Sequence, residues 1–448
     1  MLPPDAFLTH TLSHHPRAKT VTGILAAAIN SVEPGNAICR FVRRDGEILR
    51  VDNRDYSLDK IHKIHILGVG KAAPAMTRAL VDLLGHRNLT GLMISKHIDM
   101  PPIEGIEQIQ GGHPVPDERS LRAGQKAVDL LKQVSADDLL ICLISGGGSA
   151  LMTAPFPGIG LDEIQTLTAV LLQCGARIDE INTIRRHVDQ LKGGGVAQLV
   201  APARTVSLIL SDVVGNPLEA IASGITAPDP STCQDALNII SRYGLEKSVS
   251  PQILRTLREA PETPKPGDKM FASVQNVLVG SNPQAAQSAL EQAALEGFSI
   301  HLLQTDLQGE AREVGKSLAK NLRQILEIKH PVMRPFCLMA GGETTVTVRG
   351  NGKGGRNQEL ALAVVPELAA LSDIMLVTLA TDGEDGPTDA AGAVVTADTL
   401  KRGQKMGLFP QTFLENNDAY HYFNPLGDLL KPGPTGTNVN DLTFIFGF

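Results

Sequence analysis

Short, unbroken apolar runs recur along the chain, and several end abruptly in glycine. Four stand out: residues 64–67, 139–144, 336–340 and 374–380. They close on Gly68-Val69-Gly70-Lys71, Ser145-Gly146-Gly147-Gly148-Ser149, Gly341-Gly342-Glu343-Thr344 and Asp382-Gly383-Glu384-Asp385-Gly386. An apolar run with no polar alternation predicts a strand covered on both faces. Between the runs, apolar positions take helical spacing. Residues 120–134 carry Ala127, Leu130, Leu131 and Val134 on one stripe, with Ser120 in the expected N-cap region. Further helices are predicted at 18–32, 72–84 and 161–174, and strands at 41–51 (an edge), 91–95 and 206–210. Strands alternating with helices predict a mostly parallel, Rossmann-like sheet with helices on both faces.

Three prolines in residues 261–266 mark the predicted linker. A second α/β pattern follows. It has strands at 276–279, 299–304, 336–340, 374–380 and 441–446, a hairpin partner at 345–349, and helices at 283–296, 309–327 and 357–371. The expected fold class is α/β with two domains, 1–260 and 261–448, the second built on a mixed sheet. A length of 448 residues agrees with two cores rather than one.

Composition narrows the function. The chain is 42% hydrophobic and 20% charged, with a formal net charge of −7, so no broad nucleic-acid face is expected. Aromatics make up only 4% and tryptophan is absent, which removes base-stacking platforms. The five cysteines have no CxxC spacing, so neither a zinc site nor a dithiol motif is predicted. No basic segment leading into an apolar one opens the chain, and no apolar run approaches a membrane span. A cytoplasmic protein with no membrane partner is expected.

The glycine turns carry the candidate chemistry. Gly70 and Lys71 follow a strand and open a helix, where open α/β sheets bind ligands, and a lysine there can neutralise a transferring phosphoryl group. GxxxxGK[ST] is not met, and a surface lysine after a tight turn is the alternative. Three consecutive glycines are entropically costly. In Ser145, Gly146, Gly147, Gly148 and Ser149 they point to a backbone cradle for phosphates, the serines adding donors. Asp212 ends a buried strand and suits Mg²⁺ or a substrate hydroxyl, or else caps a turn. Asp229, between two prolines, reads as a turn residue. Arg356 and Asn357 open a helix, where an arginine fork suits a carboxylate or phosphate. Asp382, Glu384, Asp385 and Asp389 form either a metal-binding loop or an acidic surface loop. His113, in Gly111-Gly112-His113-Pro114, is first a structural donor.

Taken in order, residues 66–73, 111–117, 144–151, 181–194, 210–230, 341–359, 380–393 and 435–442 resemble the glycerate 2-kinase family, whose C-terminal part is called the MOFRL domain. The resemblance spans nearly the whole chain. It implies two α/β domains with an interdomain cleft, and ATP-dependent phosphorylation of D-glycerate at its 2-hydroxyl with Mg²⁺. Carried over residue by residue, Lys71, Arg356 and Asp212 are the expected catalytic residues. Gly70 and residues 145–149 would hold the nucleotide phosphates. His113, Arg356 and Asn357 would bind substrate, and Asp212, Glu343 and Asp382 the metal. A homodimer is the candidate assembly. The chain departs from the family at Asn216, Ile225 and Gly195, where Asp, Pro and a basic residue are common.

Relatives have also been labelled hydroxypyruvate reductases, so an NAD(P)H-dependent reductase is the first alternative. Gly68-Val69-Gly70 matches a dinucleotide fingerprint only weakly, and residues 91–95 lack the acidic partner for the ribose. A non-catalytic sensor of nucleotides or sugar acids is the second.

Overall fold

The computed structural model describes residues 1–85, 88–327 and 332–448. The chain forms two compact units, one of Pro34–Val279 and one of Met1–Glu33 with Gly280–Phe448.

In the first unit, the helix Pro34–Phe41 leads into an antiparallel meander of β1 (Val42–Asp45), β2 (Ile48–Val51) and β3 (Arg54–Ser57). The single strand expected at 41–51 is split because Gly46 and Asp52 both take positive φ, at 55° and 51°, and turn the chain. The main sheet contains β4 (Ile64–Val69), β5 (Leu89–Ser95), β6 (Ile106–Gln110), β7 (Leu139–Ile144), β8 (Arg204–Leu210) and β9 (Val274–Gly280). Its order is β6-β5-β4-β7-β8-β9. β4 pairs parallel with both β5 and β7, and β7 pairs parallel with β8. The winding therefore reverses between β4 and β7, the topological switch point at which doubly wound sheets bind ligands. Every residue of β4 and β7 is buried, as their unbroken apolar runs require. The expected parallel, Rossmann-like sheet is present.

The second unit holds β10 (Ser299–Leu307), β11 (Phe336–Gly342), β12 (Ile374–Ala380), β13 (Gly392–Thr396), β14 (Leu429–Leu430) and β15 (Asp441–Gly447), in the order β10-β11-β15-β12-β13-β14. It is mixed, as expected: β10 and β11 are parallel, and β15 runs antiparallel to both β11 and β12. The N-terminal helix Ala18–Ser31 packs on Asn282–Leu295 within this unit.

Several expectations differ from this architecture. The units do not divide at 260/261. The first 33 residues sit with the C-terminal part, and the strand expected at 276–279 is the edge of the first sheet. The proline-rich stretch lies inside the first unit, where Pro264 accepts the Asp229 N–H at 2.9 Å. Residues 345–349 form no hairpin with β11, because β10 and β15 already occupy both of its edges. Asp117, not Ser120, caps the helix Glu118–Leu131, and Ser120 completes its capping box. No helix among the described residues is long and apolar enough to cross a membrane.

Candidate active site

The first unit gathers its sequence-nominated residues at the C-terminal ends of β4, β7 and β8. The turn after β4 is tied to the turn after β7. Lys71 N–H donates to Gly146 O at 3.0 Å, and Ala72 N–H donates to Ser145 Oγ at 3.0 Å. Gly70 has φ 128° and lies so close to Ser145 that a Cβ would collide with it. Glycine is therefore obligatory at Gly70, and the Lys71 side chain leaves a backbone held on both sides. Ser145 is buried and its hydroxyl accepts from Ala72, which locks the two turns together.

The three glycines have separate reasons. A Cβ on Gly146 would strike the Asp212 carboxylate, whose Cγ would lie 2.7 Å away. On Gly147 (φ 86°) it would lie 3.0 Å from Cδ2 of the His113 ring. On Gly148 it would meet Ala222 Cβ at 2.8 Å. Removing the side chains thus lets Asp212 and His113 close on the turn while its backbone stays partly exposed. Ser149 Oγ pairs with Ser223 Oγ at 2.8 Å. Burial, then the nearby charges of Lys71 and Lys96, holds His113 below the ordinary histidine value. Its imidazole is accordingly neutral at pH 7. The structure brings Lys71, Gly70, residues 145–149, Asp212 and His113 together.

The second unit assembles a different constellation. Residue Glu343 follows β11, Asp382 follows β12, and Asp441 opens β15. Because β15 runs antiparallel between them, Asp441 stands opposite both Gly342 and Ala380. Arg356 grips Asp441 through Nε at 2.6 Å and Nη2 at 3.3 Å, and donates to Glu343 through Nη1 at 2.6 Å. Burial opposes its charge, but Asp441 and Glu343 more than offset that and raise its pKa further. The guanidinium is therefore engaged, not open. Of the two partners, the Glu343 side chain is 42% exposed and that of Asp441 only 10%. Asn357 is buried, and its backbone N–H donates to Asp385 Oδ1 at 3.1 Å. It stabilises the helix start instead of facing solvent. Asp385 also accepts from Gln358 N–H at 2.9 Å, so a carboxylate from a distant loop caps the helix Arg356–Leu368.

Sequence reasoning passed over Asp441 and treated Asp385 only as one of several loop acids. Burial, then the charge of Asp441, pushes Asp385 up to about 7, and burial pushes Asp441 up to about 6 against the pull of Arg356. Both values exceed the unfolded value near 4, so the native state keeps protons that the unfolded chain releases. Stability is then expected to fall as pH rises from about 4 to about 7, by on the order of a few kcal/mol, and to level off above. Urea unfolding across this range measures it. Asp385→Asn should flatten the profile, and a profile parallel to wild type would remove Asp385 as its source.

Two buried clusters in the first unit were also missed. Asp189 Oδ2 accepts Lys192 Nζ at 2.5 Å, Thr153 Oγ1 at 2.8 Å and Ala154 N–H at 2.9 Å. Asp229, fully buried, pairs with Arg186 Nε at 2.9 Å and accepts Thr263 Oγ1 at 2.9 Å. Neither pairing has a local sequence signature. A shallow pocket of about 340 Å³, lined by His10, His15, Ile374 and Asp398, lies at the start of β12, the end opposite Asp382.

Comparison with known proteins adds two family matches. Residues 20–258 match a domain of unknown function, DUF4147, and residues 336–441 match the MOFRL family. A D-glycerate 2-kinase of Thermotoga maritima is 42% identical over 383 residues, which is 85% of this chain and 90% of that protein. The crystal structure of a glycerate kinase from Thermotoga maritima superposes with TM-score 0.86 at 38% identity, covering 96% of this chain and 99% of that one. A protein of Agrobacterium vitis whose name marks it as a candidate hydroxypyruvate reductase is 38% identical over 383 residues, 85% of this chain and 86% of that protein. Identity at this level over most of both chains, with the same fold and a MOFRL segment in the second unit, places the chain in the glycerate 2-kinase family.

Proposed function

We infer that the protein transfers the γ-phosphoryl group of ATP to the 2-hydroxyl of D-glycerate, giving 2-phospho-D-glycerate and ADP. One observation carries the reading: a lysine locked beside a triple-glycine turn at the switch point of a doubly wound sheet. Phosphoryl transfer asks for positioning and charge neutralisation more than covalent chemistry. Lys71 would stabilise charge on the transferred group. The partly exposed backbone of Gly146 and Gly147 would receive nucleotide phosphates. Neutral His113, against Gly147, can hydrogen-bond without adding charge. Arg356 would take the glycerate carboxylate by exchanging Glu343 while keeping Asp441.

Mg²⁺ binds through one or two carboxylates together with substrate phosphates rather than in an all-protein cage. Asp212 in the first unit, and Asp382 or Glu343 in the second, are carboxylates of that kind. Among the described residues the one cluster of three or more potential ligands is His187, Cys233 and Glu262, which includes a soft sulfur donor and is unsuited to Mg²⁺. When bound, Mg²⁺ would neutralise phosphate charge.

Nicotinamide chemistry fits less well. At the start of the helix Ala73–Leu84, the N–H of the N-cap Ala72 is taken by Ser145 and that of Ala73 by the Gly70 carbonyl at 3.3 Å, so neither is free for a pyrophosphate. A sensor would bind ligand and turn nothing over. Incubation with Mg-ATP and D-glycerate followed by ³¹P NMR tests all three readings. A 2-phosphoglycerate resonance is expected. A 3-phosphoglycerate resonance would overturn the regiochemistry, and no product with NADH-dependent reduction of hydroxypyruvate would overturn the kinase.

A further inference from the structure

Two consecutive arginines end the helix Ile178–Arg186, and their surroundings could hardly differ more. Arg186 has a carboxylate beside it and hydrogen bonds from both terminal nitrogens. Nε pairs with Asp229 at 2.9 Å, Nη1 donates to Glu219 O at 3.1 Å, and Nη2 donates to Ser231 Oγ at 3.0 Å and Thr183 Oγ1 at 3.2 Å. Arg185 is also partly buried, yet among the described residues its guanidinium has neither an ion-pair partner nor a hydrogen-bond acceptor. Desolvation lowers its pKa from the ordinary arginine value, with no carboxylate acting in the other direction. A guanidinium stays charged at any accessible pH, so it cannot escape this cost by losing a proton.

The carboxylate paired with the neighbouring Lys192 is already taken. Arg185 is close enough to Lys192 to depress that lysine's pKa, after burial has done so. Asp189, the partner of Lys192, is saturated: Oδ2 by Lys192, Thr153 and Ala154, and Oδ1 by Leu191 N–H at 3.0 Å. The neighbourhood holds the cations Arg185 and Lys192, with Asp189 already bonded at both oxygens. It also adjoins the glycine turn. Lys192 Nζ donates at 3.2 Å to the carbonyl of Met152, which follows the short helix Gly148–Leu151 opened by that turn. Gly193 N–H donates at 2.9 Å to the carbonyl of Ser223, whose hydroxyl meets Ser149.

We propose that Arg185 is a further substrate-binding residue, an unfilled fork that receives an oxyanion of a substrate, either the carboxylate of the glycerate or a phosphate of the nucleotide. An arginine fork binds either group in bidentate fashion, and bound oxyanion would offset the burial of its charge. The proposal rests on the kinase reading for the names of its two ligands. It also adds to that reading, because Arg356, the arginine nominated from sequence, can receive an oxyanion only by giving up Glu343, whereas Arg185 has no partner among the described residues to release.

The test compares wild type with Arg185→Gln and Arg185→Lys. Kinetics with ATP and D-glycerate varied in turn are run beside thermal-shift titrations with inorganic phosphate, ATP and D-glycerate. Arg185→Gln should raise KM for one substrate about tenfold or more, abolish the thermal shift caused by that same ligand, and leave the ligand-free Tm unchanged or higher. Arg185→Lys should recover part of the loss. A change confined to D-glycerate identifies the carboxylate, and one confined to ATP and inorganic phosphate identifies the phosphate. Unchanged KM values and shifts would overturn the proposal. So would a lower ligand-free Tm with equal loss toward both substrates, because that marks a structural arginine. If wild type forms no phosphoglycerate, the kinase reading fails while the thermal shifts still decide whether Arg185 binds an oxyanion.

Discussion

Replacing Lys71 by alanine is expected to lower kcat for glycerate phosphorylation by about 10²–10³-fold, the usual cost of removing one preorganised stabilising group. Stability should change by no more than about 0.5 kcal/mol, as at most exposed positions. The contrast follows from how the residue is held. Its side chain is exposed, so little packing is lost. Its backbone is fixed by the Gly146 carbonyl on one side and by the Ser145 lock on Ala72 on the other. The ammonium therefore starts from a rigid origin beside the glycine turn, and needs little reorganisation to meet developing charge. Steady-state turnover and thermal unfolding of the same preparation read the two quantities. Unchanged turnover would remove Lys71 from the catalytic set, and a large fall in Tm would show that the turn depends on its side chain.

Asp229→Ala should have the opposite signature, a loss of about 3–5 kcal/mol of stability, the usual cost of breaking a buried ion pair. Both partners are inaccessible: the side chains of Arg186 and Asp229 are 6% and 0% exposed. The carboxylate also receives Ser231 N–H at 2.9 Å, Ser231 Oγ at 2.6 Å and Thr263 Oγ1 at 2.9 Å. Removing it strands the Arg186 guanidinium in a low-dielectric interior and frees the loop that carries Thr263. Asp229→Asn should cost less, since the amide oxygen can still accept. Denaturant unfolding of the three proteins measures the effect. A loss below about 1 kcal/mol would mean that water or a rearranged neighbour takes over the pairing.

Asp229 also shows where reading the sequence stops. Its turn is local: the bonds from Ser231 are those of an Asx turn between two prolines, and residue types alone predict them. Its ion pair spans 43 residues to Arg186 and leaves no local trace. Arg185 and Arg186 are likewise indistinguishable as letters. Their difference lies in the tertiary fold, which brings Asp229 to Arg186 and no carboxylate to Arg185 among the described residues. Arg356 is the converse case. Its position at a helix start was legible, but its saturation by Glu343 and Asp441 depends on β15 being inserted antiparallel between β11 and β12.

The glycine turns illustrate the same boundary. Their location was readable, because an unbroken apolar run followed by glycine constrains the backbone locally. Their purpose was only half readable. Three glycines suggested a phosphate cradle, and the structure adds that each admits a particular neighbour: Asp212, His113 or Ala222. Those neighbours lie 34 to 74 residues away and could not be inferred from spacing.

From its sequence alone, this protein is determined to be a two-unit α/β chain of the glycerate 2-kinase family, with glycine turns after its buried strands. Periodicity, backbone freedom and motif order are properties of adjacent residues, so they survive translation into one dimension. Tertiary structure alone decided that the first 33 residues join the C-terminal unit. It also decided that Asp385 caps the helix at Arg356 and that Arg185 is left without a partner. These outcomes depend on strand order and on which distant side chains share a low-dielectric interior, where a charge is stabilised or stranded by neighbours it meets only when the chain folds.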